Sequence, residues 1–223
     1  MGNTVPALRK KIIAHSFRTR KNNMPLLWLR GEKMTEIHKA QRIGVFVDVQ
    51  NLYYSARFVY NAHVNFKTIL QDAVKGRTLV RALAYVIKTE DISKEKFFDA
   101  LGHIGFEIRA KDLQIFYGGA KKGDWDIGIA MDAIELAPRL DTIVIVSGDG
   151  DFVPLVEHLK RALGCRVEAV AFGKSASAKL REAVDDFTDL DKDTRKYLIK
   201  PAKKMPVNKE VDTHTMGAEN GNK

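Results

Sequence analysis

The fold of this chain is decided by the stretch TIVIVSGDGDF, residues 142–152. Its first five residues are β-branched, which is typical of a strand buried on both faces of a sheet. Two glycines then flank Asp149, and helix-type sequence runs from Phe152 to Leu163. Ligands of an open parallel sheet bind beyond the carboxyl ends of its strands. Asp149 and Asp151, at such an end, therefore predict a cation site.

A second predicted strand ends in the same way. Residues 43–47 are mostly apolar and stop at Asp48, and a helix-like stretch follows from Leu52. If the two strands are neighbours, Asp48 and Asp149 meet at one edge of the sheet. Two carboxylates that close repel each other unless a cation lies between them or one binds a proton. The alternative interpretation is that each aspartate only caps the helix that follows it.

A third acidic segment, residues 121–126, precedes a helix predicted over about 125–137. Asp124 is placed to cap that helix, and Asp126 falls in its first turn. Six residues turn a helix by about 240° net, so Asp126 and Asp132 point in different directions. We expect Asp126 to face the strand ends. Asp132 either joins the acidic cluster or pairs with a base elsewhere, because an unpaired buried carboxylate is costly.

Polar residues beside these aspartates are candidates for supporting or substrate-binding roles. Asn51 and Ser147 could orient a carboxylate or contact a phosphate, and Lys122 could contact a phosphate from its loop. The segment 173–177, which contains Lys174, follows a strand end and could hold a phosphate on its backbone N–H groups. The plain alternatives, a helix cap for Asn51 and a solvated lysine for Lys122, stay open.

Length and composition bound the class of protein. The chain has 223 residues, of which 45% are hydrophobic. Predicted strands and helices alternate from residue 42 to 191, which indicates one three-layer α/β domain with a mainly parallel sheet and helices on both faces. A lone cysteine, Cys165, permits no disulfide framework. This composition and the lack of a stretch of roughly 20 apolar residues predict a cytoplasmic protein with no membrane partner.

The net charge of +9 is concentrated towards the ends of the chain. Residues 1–42 hold ten basic and two acidic residues, residues 192–223 hold eight and four, and the middle holds 19 and 22. Basic tails attract polyanions such as RNA, without regard to sequence, although they could equally serve only to keep the protein in solution.

Both ends also have compositions that disfavour packed structure. Residues 1–41 are predicted to be a weakly structured extension, and residues 192–223 a disordered tail. Translation starting at Met34, which would remove the first 33 residues from the natural protein, is a second hypothesis for the N-terminal part.

Three motifs, taken in this order over residues 43–190, resemble the NYN domain family and most closely its bacterial LabA-like branch. NYN domains belong to the PIN-like superfamily of metal-dependent nucleases. Each motif is weak alone, and the combination is specific. They are Asp48-Val-Gln-Asn51, Lys122-Gly-Asp-Trp-Asp126 followed by Asp132, and Ser147-Gly-Asp149-Gly-Asp151-Phe-Val-Pro-Leu.

The resemblance implies a PIN-like fold with acidic residues converging at the carboxyl edge of the sheet. It also implies bound Mg²⁺ or Mn²⁺ and hydrolysis of RNA phosphodiester bonds. Because Asp124 and Trp125 both separate Gly123 from Asp126, where many relatives have one residue, Asp124 is a second candidate for that position. Carried over by motif, the principal acidic and metal-binding positions are Asp48, Asp126 and Asp149, the second acid of the terminal pair is Asp151, and the supporting polar positions are Asn51 and Ser147.

The chemical hypothesis assigns different roles to the four catalytic aspartates. Asp48 and Asp149 bind the metal directly, while Asp126 and Asp151 bind it through water or orient the attacking water. Carboxylates and water are the ligands that Mg²⁺ prefers, and a divalent ion activates water for attack on phosphorus.

Two other functions stay open from the sequence. One is a non-catalytic RNA-binding or regulatory NYN module that keeps the acidic edge for a structural metal. The other is a phosphatase with an aspartate nucleophile, which is disfavoured because no second acid lies two residues after Asp48. The sequence leaves the oligomeric state undetermined, and a homodimer is compatible with it.

Overall fold

The computed structural model describes residues 39–89, 95–115, 121–122 and 124–200. Most of the predicted N-terminal extension, including the Met34 start, and residues 201–223 of the predicted tail lie outside these ranges. The strands are β1 (Arg42–Asp48), β2 (His63–Val64), β3 (Thr78–Lys88), β4 (Glu107–Asp112), β5 (Gln114–Ile115), β6 (Lys121–Lys122), β7 (Thr142–Val146), β8 (Arg166–Ala171), β9 (Asp186–Asp189) and β10 (Leu198–Ile199). The helices are α1 (Val49–Tyr60), α2 (Phe66–Val74), α3 (Glu95–Ile104), α4 (Asp126–Leu136), α5 (Val153–Arg161), α6 (Ala178–Ala183) and α7 (Thr194–Tyr197).

Six strands form one sheet in the order β4-β3-β1-β7-β8-β9. Every neighbouring pair in it is parallel. The chain builds outward from β1 to β3 and β4, and then returns to the other side of β1 to build β7, β8 and β9. The strand order therefore reverses between β1 and β7, and such a reversal opens a crevice at the carboxyl edge of a sheet.

Alternate residues of the central strands pack into different layers. Val45 and Val47 of β1 belong to a core shared with α1, α2 and α3. Phe46, between them, belongs to a second core that is shared with α4, α5 and α6. Helices on both faces explain why all five residues of β7 are buried. The predicted three-layer α/β fold with a mainly parallel sheet is confirmed.

The chain stays ordered beyond the point where the sequence predicted a disordered tail. Helix α7 is followed by β10, and β10 pairs antiparallel with β2. Tyr197 is buried, and its hydroxyl donates a hydrogen bond to Asp72. Residues 194–199 of the predicted tail thus form α7 and β10, and these short elements gain their stability from contacts with α2 and β2. Within the described ranges, no helix combines the length and the apolar character that crossing a bilayer requires.

Candidate metal centre

Asp48 and Asp149 lie at the reversal of strand order, on either side of the crevice. Asp48 is the last residue of β1, and Asp149 follows β7 by three residues. Each of the two side chains also caps the helical turn that follows it. The Asp48 carboxylate accepts from the backbone N–H of Asn51 at the start of α1, and the Asp149 carboxylate accepts from that of Asp151. Capping and convergence at the sheet edge therefore occur together.

Three carboxylates form a group that could hold a metal ion. Asp126, Asp149 and Asp151 each present an oxygen atom, and these three atoms lie within 4.8 Å of one another. Asp126 is the first residue of α4, while the other two come from the loop after β7. We call this group the acidic triad. An all-carboxylate set of hard oxygen donors suits Mg²⁺ and Mn²⁺.

Asp48, which the sequence predicted to bind the metal directly, is not one of the three residues of the triad. It is half-buried, in a negatively charged environment that includes Asp126 and Asp149. Burial raises the pKa of its carboxyl group to about 6, and the charges of Asp126 and Asp149 add to the effect. Hydrogen bonds from the Asn51 backbone and the Ser147 hydroxyl oppose the shift. The ionised form of Asp48 is therefore disfavoured unless a positive charge is nearby.

Asn51 and Ser147 tie the ends of β1 and β7 together. The Asn51 side-chain oxygen accepts from the backbone N–H of Gly148 at 3.0 Å. The buried Ser147 hydroxyl donates to Asp48 at 3.4 Å and accepts from the backbone N–H of Asp149 at 3.2 Å. Both side chains therefore connect the residues that follow β1 to those that follow β7.

Trp125 holds the first turn of α4, and with it Asp126, against the sheet. Its ring nitrogen donates to the carbonyl oxygen of Val86 at 3.0 Å, near the end of β3. The ring lies so close to Gly128 that a Cβ there would be 2.5 Å from it. Sequence reasoning missed this residue, although a glycine one turn after a tryptophan at a helix start is a signal of close packing.

Charges of both signs act on the carboxyl group of Asp126, and they shift its pKa in opposite directions. Burial raises the pKa of its carboxyl group, and the charges of Asp149, Asp124 and Asp151 raise it further. The positive charge of Lys111 lowers the pKa of this carboxyl group. The Lys111 ammonium group lies 4.6 Å from the centre of the Trp125 ring. No local sequence pattern pointed to Lys111, since it lies on β4 and only the folded chain brings it near Asp126.

Replacing Trp125 by phenylalanine tests this positioning role. The change keeps a ring beside Gly128 but removes the hydrogen bond to Val86. We expect the free energy of unfolding to fall by about 1 kcal/mol, and the Mn²⁺ affinity to fall several-fold because Asp126 is held less firmly. Chemical denaturation and calorimetric titration measure the two effects. A loss of stability with unchanged Mn²⁺ affinity would limit Trp125 to packing.

Two further aspartates of the acidic segment lie apart from the triad. Asp132 accepts a hydrogen bond from Tyr85 at 2.7 Å and lies 3.6 Å from Arg109, so of the two alternatives it pairs with partners elsewhere. Asp124 is exposed and adds to the negative charge near Asp126. Its predicted capping role is wrong, because Trp125 occupies the cap position and no side chain caps α4. The extra residue in this segment shifts the helix start by one.

The segment 173–177 packs against the loop that carries Asp149. The backbone N–H of Ser177 donates to Gly148 at 2.9 Å. A Cβ on Gly148 would lie 3.0 Å from the backbone of Ala176, and one on Gly150 would lie 2.8 Å from the Ser177 hydroxyl. A side chain at either position would crowd this contact, so the two glycines favour the close approach of the segment to the acidic loop.

Two aspartates at or just after the end of β9 anchor the same segment, and the sequence analysis assigned them no role in the site. The Asp189 carboxylate accepts from the backbone N–H of Gly173 at 2.9 Å, and Asp191 accepts from that of Lys174 at 2.8 Å. The Lys174 side chain is exposed, with its ammonium group 5.2 Å from the centre of the Tyr60 ring. Lys174 is thus at the carboxyl edge. The side chain of Lys122 lies outside the described part of the structure.

A doubly wound parallel sheet with carboxylates gathered at its strand-order reversal defines the class of protein as an α/β domain with a candidate metal centre at its carboxyl edge. Within that class, the chain belongs to the NYN domain family, whose model matches residues 42–191. It is 28% identical over 183 residues to the low amplitude and bright protein LabA of Synechococcus elongatus, covering 75% of this chain and 93% of that protein.

A solved structure shares the same fold. The chain is similar to a crystal structure of a protein of unknown function from Vibrio parahaemolyticus, with 34% sequence identity and a TM-score of 0.66. The match covers 74% of this chain and 99% of that one. The predicted membership of the NYN family and its LabA-like branch is confirmed.

Proposed function

We propose that this protein is a divalent-metal-dependent ribonuclease that hydrolyses RNA phosphodiester bonds in the cytoplasm. The observation that carries the proposal is the acidic triad of Asp126, Asp149 and Asp151, whose oxygen atoms lie within 4.8 Å of one another at the carboxyl edge of the sheet. Membership of a nuclease-like family supports the same chemistry.

The chemistry of the donor set favours Mg²⁺ or Mn²⁺ as the cofactor. Carboxylate oxygens are hard ligands of the kind these ions prefer. The triad and Asp48 together concentrate negative charge, and mutual repulsion contributes to the raised pKa values of Asp48 and Asp126. A divalent cation would offset that repulsion, which makes its binding favourable.

We assign Asp126 and Asp149 as metal ligands, with Asp48 and Asp151 completing the shell of carboxylates. Bound there, the ion would supply the Lewis acid that stabilises negative charge on a reacting phosphoryl group. Asp151 is the exposed member of the triad, so it is placed to accept a proton from an attacking water. Asn51 and Ser147 hold Asp48 and the loop of Asp149 in register through the hydrogen bonds described above.

Cations near the carboxyl edge support RNA as the substrate. Lys174 exposes its side chain there, and Lys111 lies near Asp126. We propose Lys174 and Lys122 as phosphate contacts. An aspartate nucleophile is less compatible with the site, because both oxygen atoms of Asp48 already accept hydrogen bonds, from Asn51 and Ser147.

The test is cleavage of a labelled single-stranded RNA by the purified full-length chain. We expect cleavage with Mn²⁺ or Mg²⁺, none in excess EDTA, and recovery when the ion is restored. A DNA strand of the same sequence distinguishes ribonuclease from general nuclease activity. The Asp149→Asn chain, purified in parallel, detects a contaminating nuclease.

Two outcomes would contradict the proposal. Cleavage that persists in EDTA, or is equal in the Asp149→Asn chain, would come from another site or another protein. RNA binding without cleavage by any divalent ion would instead identify a non-catalytic RNA-binding module.

A further inference from the structure

An apolar groove runs from the acidic triad between α4 and α5. We call it the α4–α5 groove, and its volume is about 360 Å³. Its lining on α4 includes Asp126, Ala130 and Ile134, which recur along one stripe of the helix. Eight residues of helix advance by about 12 Å, so the groove leads away from the triad over that length. Its lining on α5 includes Leu155 and His158.

The groove and the triad share two residues, Asp126 and Asp151. An occupant of the groove therefore has one end at the proposed metal. Because the proposed function places a phosphate at that metal, the same RNA strand would present an attached nucleoside to the groove. We propose that the α4–α5 groove binds the nucleobase of a nucleotide adjoining the scissile phosphate. This inference rests on the proposed function for the identity of the ligand.

The charge of the lining residues favours a base over a phosphate as the occupant of the groove. Among the described residues that line the groove, neither lysine nor arginine occurs, and the ionisable groups are Asp126, Asp151 and His158. A phosphate would find no permanent cation there, whereas an uncharged base could contact the apolar walls. Ile127 also lines the groove, and its side chain is 76% exposed. Apolar contact with a flat base face tolerates every base, so we expect weak sequence preference at this position.

A second protein chain suits the groove less well than a base does. A subunit packed over it would also cover Asp126 and Asp151 at its acidic end. Burying unpaired carboxylates in an interface is costly. A nucleotide avoids this cost, because its phosphate reaches the carboxylates through the cation while its base enters the groove.

The test maps where a base lies, by a readout that does not depend on cleavage. Single-stranded RNA carrying 4-thiouridine is bound to the full chain in Ca²⁺, irradiated, and mapped by mass spectrometry. We expect crosslinks to α4 and α5. The Ala130→Phe chain, in which a ring fills the groove, should lose these crosslinks and bind RNA about tenfold more weakly, with unchanged Mn²⁺ affinity. Ala100→Phe, the same change at an exposed position on α3, is the matched control.

An abasic RNA gives a second measurement on the same groove. Removing the base beside the scissile bond should weaken binding by the wild type about tenfold, and should add no further loss in the Ala130→Phe chain. If Ala130→Phe does not fold, His158→Ala, at an exposed position, replaces it with a smaller expected loss. Crosslinks that map outside α4 and α5, or equal affinity for intact and abasic RNA, would overturn the assignment.

The possible failures are distinguishable. Crosslinks on α4 and α5 without any cleavage would contradict the proposed nuclease activity, while the groove would remain a base-binding site. Cleavage together with crosslinks outside α4 and α5 would contradict only the proposal that the groove binds a base. A change from dimer to monomer in Ala130→Phe, with RNA affinity unaltered, would show that a second copy of the chain occupies it.

Discussion

The Asp149→Asn chain is expected to cleave RNA about a thousandfold more slowly than the wild type, or below detection. Removing this carboxylate charge removes a proposed ligand from the centre of the acidic triad. Metal-ion stabilisation of a phosphoryl transition state contributes several kcal/mol, and about 4 kcal/mol corresponds to a thousandfold in rate. Single-turnover cleavage at saturating Mn²⁺ measures the loss, and calorimetry measures the accompanying drop in Mn²⁺ affinity.

The fold of this variant should persist. The side-chain oxygen of asparagine still accepts from the backbone N–H of Asp151, as Asp149 does at 3.0 Å. We therefore expect the free energy of unfolding to change by less than about 0.5 kcal/mol. Asp99→Asn, at an exposed position on α3, is the matched control and should retain full activity. Equal losses in both chains would point to a general effect of charge rather than to the triad.

The Asp48→Asn substitution is expected to lower the cleavage activity and to raise the stability of the metal-free protein. Cleavage should fall at least about a hundredfold, because a buried carboxylate beside the metal is lost. The metal-free protein should nevertheless become more stable by about 2–3 kcal/mol at pH 7.5. The pKa of Asp48 is raised from 3.8 to about 6, and each unit is worth about 1.4 kcal/mol. Asparagine keeps the cap of α1, since it is as good an N-cap as aspartate.

The pH dependence of the free energy of unfolding tests the direction of this predicted stability change. A carboxyl group whose pKa is higher in the folded state contributes stability below its unfolded pKa, near 3.8, and that contribution is lost as the pH rises through about 6. The difference in unfolding free energy between the variant and the wild type should therefore be small at pH 4, grow up to about pH 6, and level off above it. Denaturation with urea at each pH, in EDTA, measures it.

Adding Mn²⁺ should narrow this difference, because a ligand stabilises only the folded state that binds it and the wild type binds more tightly. A difference that is absent at pH 7.5, or that shrinks as the pH rises, would show that ionised Asp48 is not under repulsion in the folded protein.

The central strands and most helices could be predicted because their signals are local. The β-branched run of residues 142–146 and the apolar run before Asp48 each identify a buried strand. That these two strands are neighbours is known only from the structure. The two-residue strands β2 and β10 have no such period and depend on a partner more than a hundred residues away. No local signal predicts that pairing.

At the candidate site, the limit of prediction lies in contacts between distant elements. Placing Asp126 near the strand ends followed from the start of its helix. The partner of Asp132 did not, because Tyr85 and Arg109 lie on other strands and only the packing of α4 on the sheet brings them together. Lys111 was missed for the same reason.

The pairing of β1 with β7 also bears on how the protein matures. Asp48 and Ser147, which face each other across this seam, are 99 positions apart along the chain. Such non-local pairing costs loop-closure entropy before the favourable contacts form, which slows folding. A chain emerging from the ribosome also folds its N-terminal part first. A nascent polypeptide that stops short of β7 thus contains Asp48 and Asp126 but lacks Asp149 and Asp151. The acidic triad is therefore complete only after β7 and the turn that follows it have been synthesised.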